Sequence, residues 1–193
     1  MIKPGYTRVS EILSQWNQYA GIEKSIIERK ACIGIAVHEA IVGFQDNIHM
    51  HLNEEAQGYY ESFLKWYNTN NYPMTSVGRL YCDLLKITGE IDALIKIGNE
   101  WCIVDWKTAS TINVKQWNLQ GQFYHYLMCA NKKEISSIFY FVQLKKDGSI
   151  PTVEVFEANK TIMNVCMSAY VCYKYLNQVD SKSQDDSKCS QHD

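Results

Sequence analysis

The sequence predicts an α/β (α+β) fold, a central mixed β-sheet flanked by helices. Three observations predict it. Apolar residues recur at helical spacing up to Tyr67. The stretch from Ser76 to Lys107 then changes to strand-like alternation, broken by short turns. A helix, two more strands and a closing helix follow, so helices come before, between and after the strands.

The elements follow in order. Val9 to Tyr19 reads as a short helix, with Thr7 or Ser10 as candidate caps. Glu23 to Phe44 reads as a longer helix, with Ile26, Ile27, Ala31, Gly34, Ile35, His38, Ile41 and Val42 at helical spacing. Glu54 to Tyr67 is an aromatic-rich helix, and Asn68 to Pro73 is a loop. Ser76 to Lys86, Thr88 to Ile97 and Glu100 to Lys107 read as strands. Gly98-Asn99 suits a two-residue hairpin turn between the last two. Val114 to Ala130 is a helix, Ser136 to Lys145 and Thr152 to Phe156 are strands, and Asn159 to Asn177 is the closing helix. Residues 1–178 form one domain by this reading, and 179–193 are a polar, disordered tail.

Composition narrows the function classes. The chain has 193 residues, and 46% hydrophobic content supports a packed core. It contains no apolar run of membrane-spanning length, and its first residues do not resemble a signal peptide, so a cytoplasmic protein is expected. Four Asp and two Lys between Asp180 and Asp193 account for the whole net charge of −2. The body is therefore neutral, which removes bulk basicity as an argument for nucleic acid but leaves room for a local basic groove. The seven cysteines form no CxxC pair and read as reduced thiols.

The informative stretch is the hairpin. If Gly98-Asn99 is the turn, Ile97 pairs with Glu100, and counting back sets Asp92 directly across from Asp105. Glu90, Asp92, Leu94 and Lys96 then share a face with Trp101, Ile103, Asp105 and Lys107. Ile91, Ala93, Ile95, Cys102, Val104 and Trp106 take the other. Opposed carboxylates repel, and a shared proton or a divalent cation would offset that repulsion. Lys107 lies two residues beyond Asp105 on the same face. An Asp-x-Lys alone is ordinary on a solvated strand. Its placement opposite Asp92, at the end of the apolar run Trp101 to Val104, makes idle surface charge a poor account. Two acids, a lysine and room for a metal are the equipment for phosphodiester hydrolysis.

At these residues the chain resembles the PD-(D/E)XK nuclease superfamily, in its RecB-like and phage-type exonuclease branch. Gly34-Ile-Ala-Val-His38 is similar to the GxxxH helix, and Gly89-Glu-Ile-Asp92 to GxxD. Asp105-Trp-Lys107 with Thr108 is similar to (D/E)xK-T, and Gln120-Gly-Gln-Phe-Tyr124 to the QxxxY helix. The opening Tyr6 to Leu13 resembles the short helix that begins many phage members. The resemblance implies a restriction-endonuclease-like core. It makes His38, Asp92, Asp105 and the Trp106 carbonyl ligands of Mg²⁺ or Mn²⁺, and Lys107 the catalytic lysine. Gln120 and Tyr124 would contact DNA or orient that lysine. Glu90 would face Lys107 as an ion-pair partner. Gly34 would let its helix approach the sheet closely.

Two departures bear on cofactors. Many viral members carry another glutamate on the strand before GxxD, and none occurs between Glu61 and Glu90 here. Cys32, Cys166, Cys172 and Cys189 fall near positions that hold an iron–sulfur cluster in some relatives, but the late cysteines include no tight pair, which speaks against a cluster. The implied function is a metal-dependent DNA exonuclease acting on linear single- or double-stranded DNA in phage or bacterial recombination, repair or replication. Arg8, Lys24, Arg29, Lys30 and Lys115 are candidate phosphate contacts, and Tyr and Trp side chains are candidate base-stacking surfaces. The alternatives are a catalytically inactive DNA- or partner-binding protein on the same fold, or a nuclease subunit of a helicase complex. Homo-oligomerisation and a single-strand-annealing or helicase partner stay open, and no membrane partner is expected.

Overall fold

The computed structural model describes residues 2–15 and 22–189, with side chains up to residue 177. In chain order the elements are β1 (Thr7–Arg8), α1 (Val9–Ser14), α2 (Lys24–Gln45), α3 (Glu54–Asn70), β2 (Met74–Cys82), β3 (Ile87–Ile97), β4 (Glu100–Lys107), α4 (Val114–Ala130), β5 (Ile138–Gln143), β6 (Thr152–Glu157) and α5 (Lys160–Cys189). The six strands form one mixed sheet. The β1–β3 and β4–β5 pairs are parallel, and β2–β3, β3–β4 and β5–β6 are antiparallel.

Helices cover both faces, and each face has its own core. On one face Val9, Ile12 and Leu13 of α1, Phe123 and Leu127 of α4, and Cys166 and Ala169 of α5 pack on Ile87, Ile91, Ile103, Phe139 and Phe141. On the other, Ile33, Val37 and Ile41 of α2 and Tyr59, Phe63 and Trp66 of α3 pack on Ala93, Ile95, Cys102, Val104, Trp106 and Val142. The central strand β4 is buried from Cys102 to Trp106, as a strand covered on both sides must be. Trp66, Trp106 and Trp117 are committed to these cores and offer no stacking surface.

The structure departs from the expected elements in three places. Thr7 enters strand β1 rather than capping a helix. The start of α1 is held instead by Glu11, whose carboxylate accepts the Arg8 backbone N–H at 2.9 Å and pairs with the Arg8 guanidinium. The expected continuation of that helix towards Tyr19 lies outside the described residues. Strand β2 ends at Cys82 rather than Lys86, because residues 83–86 make the turn into β3. Helix α5 runs to Cys189, past its expected end at Asn177. Its first half is anchored by Cys166 and Ala169, and it contains no Gly or Pro. Extending a helix already nucleated adds one hydrogen bond per residue fixed.

The sheet splits at the position that matters. Strand β2 takes one edge of β3 along its length, including Tyr81↔Thr88 and Cys82↔Ile87. The other edge is shared. Strand β1 pairs at Ile87 and Thr88, and β4 pairs from Ala93 to Ile97. Among the described residues no strand pairs with this edge between Gly89 and Asp92.

Phe63 is fully buried and packs edge-on against Trp106, with ring centroids 5.1 Å apart. We expect Phe63→Ala to cost about 3–5 kcal/mol in chemical denaturation. A loss below about 1 kcal/mol would show that this face of β4 is not held by α3.

Candidate active site

The gap in the β3 edge is where the hairpin reading meets its correction. The register is as counted, from Ile97↔Glu100 to Ala93↔Val104. Asp92 and Asp105 are the next positions, just beyond the last bonded pair. The bonded ladder ends there, so no strand pairing joins the two positions, although Asp92 stays close enough to raise the Asp105 pKa. Asp92 Oδ2 instead accepts the Trp106 backbone N–H at 2.8 Å. Side-chain alternation also breaks at this point. Ile91 belongs to the α4–α5 core, while Ala93 belongs to the α2–α3 core, so Ile91 does not share a face with Ala93.

From α2, His38 Nδ1 approaches the other Asp92 oxygen at 3.0 Å. The expected close approach at Gly34 is mild. A Cβ there would lie 3.4 Å from Thr108 Oγ1, an ordinary contact. Burial disfavours the charged form of His38, but the charge of Asp92 and its hydrogen bond outweigh it, with Asp105 adding to the effect. The imidazole pKa is therefore raised.

From β4, Asp105 is 2% exposed. Its Oδ2 lies 2.5 Å from Lys107 Nζ as an ion pair, but without hydrogen-bond geometry. Burial pushes the carboxyl up to about 6, with Asp92 adding to it and Lys107 opposing it. Lys107 Nζ donates to Gln120 Oε1 at 2.9 Å, and Gln120 Nε2 donates to the Tyr124 hydroxyl at 2.6 Å. The QxxxY turn of α4 thus holds the lysine from behind. Tyr124 is buried, and its pKa is raised well above the usual value by that burial, so the phenol stays neutral. Gly89 makes room for it. A Cβ at Gly89 would lie 2.8 Å from Leu127 Cδ1 and 2.9 Å from the Tyr124 ring.

His38, Asp92, Asp105, Trp106, Lys107, Gln120 and Tyr124 all line one cavity of about 950 Å³. Ser76 to Gly78 of β2 also line it and supply no carboxylate. Among the described residues no three His, Cys, Asp or Glu side chains are grouped closely enough to form a ready-made metal cage.

The expected ion pair of Glu90 with Lys107 does not form. Glu90 pairs with Arg79, its partner in the β2–β3 register. The sequence reading missed Arg79 because β2 was not placed in register. Four of the candidate phosphate contacts carry salt bridges within the protein: Arg8 with Glu11, Lys24 with Glu28, and Arg29 and Lys30 with Glu55.

Two predictions follow from this geometry. The folded-state pKa of Asp105 lies above that of a free carboxylate. Its contribution to stability is fully present below about pH 4 and is lost as the pH rises through about 6. The raised His38 pKa acts in the same sense, its contribution being lost as the pH rises through its folded value. In EDTA the Tm should therefore fall between about pH 4 and 6 on account of Asp105. Asp105→Asn should flatten that fall, and an unchanged slope would remove Asp105 as its source. Gly89→Ala should destabilise by about 1–3 kcal/mol in chemical denaturation, because the added methyl meets the Tyr124 ring and Leu127.

A sequence profile of the PD-(D/E)XK nuclease superfamily matches residues 36–187. No curated protein sequence matches the chain. Among solved structures, an alkaline exonuclease (LHK-Exo) from Laribacter hongkongensis superposes with a TM-score of 0.53 at 11% identity, covering 96% of this chain and 95% of that one. The same enzyme in complex with dAMP gives 0.52 at 12% identity, with the same coverage. A phage-related exonuclease from Haemophilus somnus 129PT gives 0.49 at 15% identity, covering 92% and 96%. At these identities the likeness to the Laribacter enzyme is one of fold: the same mixed sheet between helical layers. The profile spans most of the chain and includes His38, the Asp92 and Asp105 pair, Lys107 and the Gln120–Tyr124 turn, and on that basis the protein belongs to the PD-(D/E)XK nuclease superfamily.

Proposed function

We propose that the protein is a metal-dependent DNA exonuclease that hydrolyses phosphodiester bonds at the cavity between α2, β3, β4 and α4. The observation that carries this reading is the continuous chain from Asp105 through Lys107 and Gln120 to Tyr124, set beside Asp92 and His38 in one cavity.

The donor set fits a hard divalent cation. Asp105 Oδ2 is buried without a hydrogen bond, and its raised pKa reflects a charge that lacks full compensation. Asp92 keeps lone pairs beyond those used by Trp106 and His38. Asp92, Asp105 and the Trp106 carbonyl would hold Mg²⁺ or Mn²⁺. His38, whose ring nitrogen stands 3.0 Å from Asp92 Oδ1, would join that set. When bound, the ion supplies a more acidic water and a counter-charge to the phosphate.

The chain's own residues do the rest. Lys107 presents its ammonium where phosphate charge develops, or holds the attacking water. Gln120 fixes that ammonium by accepting a hydrogen bond from it. The neutral Tyr124 phenol fixes Gln120 in turn, from a buried position that cannot swing into solvent. His38 steadies the Asp92 carboxylate. Action on DNA ends, and a role in recombination, repair or replication, draw support from the resemblance to phage-type exonucleases and from the likeness of fold.

The test is digestion of end-labelled linear DNA beside a covalently closed circle, in Mg²⁺, in Mn²⁺ and in EDTA. We expect metal-dependent loss of linear DNA only. Lys107→Ala should reduce the rate by at least about 10²-fold, and Gln120→Ala by about 10-fold. Nicked circles would make it an endonuclease. Binding without cleavage in any metal would favour a binding protein or a subunit of a larger complex.

A further inference from the structure

The β5–β6 turn and the first half of α2 form a second charged feature, outside the catalytic cavity. Glu55, at the start of α3, is approached by Arg29, Lys30 and Lys146 together, with Lys30 at 2.7 Å and Lys146 at 3.3 Å. The hydrogen bonds from Lys30 and Arg29, with a smaller one from Lys146, pull its carboxyl down to about 2. One carboxylate thus gathers three cations and cannot neutralise them. Lys145 stands beside them, and Asp147 is the opposing acid on the same turn. Glu61 packs against Gly148 of the same turn, so the charges nearly balance, but the Lys30 and Lys146 side chains stay about half exposed, at 49% and 58%.

This surface is built rather than incidental. Lys145 N–H donates to Ser62 Oγ at 3.0 Å, which pins the turn to α3. A Cβ at Gly58 would lie 1.8 Å from the Lys146 carbonyl oxygen, so the turn sits directly on the helix backbone. A groove of about 570 Å³ opens there, lined by Lys30, Lys145, Lys146 and Ser110 among others. Its floor continues from the catalytic strand. Gln143 pairs with Lys107 in the β4–β5 register, and Leu144 N–H donates to the Lys107 carbonyl at 2.8 Å. On α2, Lys30, Gly34 and His38 lie at successive four-residue steps, on one stripe. Lys30 is therefore about 12 Å along the helix from His38.

We infer that this groove is a backbone subsite that holds phosphates of the DNA strand beyond the scissile bond, with Lys30 and Lys146 as its contacts. The inference rests on the nuclease reading for the identity of its ligand. Exposed, convergent cations beside a strand that carries the catalytic lysine match the repeating charge of a nucleic-acid backbone, and such contacts give affinity without sequence preference.

The test is fluorescence anisotropy with the full chain in EDTA, using labelled single strands of about 6 and about 30 nucleotides across about 50–200 mM salt. Lys30→Ala combined with Lys146→Ala should weaken binding of the longer strand about fivefold per lysine near 0.1 M salt and make the salt slope shallower by about 0.7 for each. The ratio of long-strand to short-strand affinity should fall. Glu55→Gln removes a negative charge and should act in the opposite direction, tightening the longer strand. An unchanged slope and ratio in the double variant overturns the subsite, as does weaker binding in Glu55→Gln with an unchanged Tm. Failure of the nuclease reading shows itself separately, as no hydrolysis by the unmodified chain in Mg²⁺ or Mn²⁺. Absence of salt-dependent binding by the unmodified chain would overturn the subsite whatever the hydrolysis result.

Discussion

The site depends on the hydrogen bond from the Trp106 backbone N–H to Asp92 Oδ2. A β-ladder that continued in register would set two carboxylates face to face in a largely dry interior, where like charges repel. Here the bonded ladder of β3 and β4 ends after Ala93↔Val104, and the Asp92 side chain takes up a backbone donor beyond it. Hydrogen bonds to charged groups contribute about 1.5–3 kcal/mol, enough to hold a local break in a sheet. The break opens the cavity, turns Ile91 towards α4, and lets α2 bring His38 to the remaining Asp92 oxygen.

The two helical layers then serve different halves of the site. Helix α4 lies on the face of Asp105 and Lys107, and its Gln120–Tyr124 turn fixes the lysine. Tyr124 belongs to the hydrophobic core, so the position of the Lys107 ammonium is tied to core packing through a single amide. Helix α2 lies towards the opposite face and carries His38 at one end of a stripe and Lys30 at the other. A strand bound along that stripe would run from the cavity to the basic turn after β5. Asp105 is buried and Asp92 half-buried in the cavity, while Lys30 and Lys146 stay exposed.

Much of this was legible in the chain itself. Helices α2, α3 and α4, the β3–β4 hairpin and its register follow from periodicity and one turn dipeptide. The constellation of Asp92, Asp105 and Lys107 follows from counting across that hairpin. The errors came where a side chain replaces a regular partner. Glu11 reaches back to cap α1, Arg79 takes Glu90 from across β2, and Asp92 ends the ladder that was expected to continue past it. None of these has a local pattern, because each joins residues whose proximity depends on how the elements meet.

The sequence by itself determined the order of elements, the register of the β3–β4 hairpin and the candidate residues for the chemistry. These are properties of spacing along the chain, where side-chain periods of about 2 and 3.6 are set by backbone geometry. The tertiary structure alone decided that Gln120 faces Lys107, that Tyr124 fills the space over Gly89, and that Lys30 and Lys146 meet at Glu55. Those contacts join residues from separate elements. They exist because two helical layers must cover both apolar faces of one sheet, and that packing fixes which side chains arrive together.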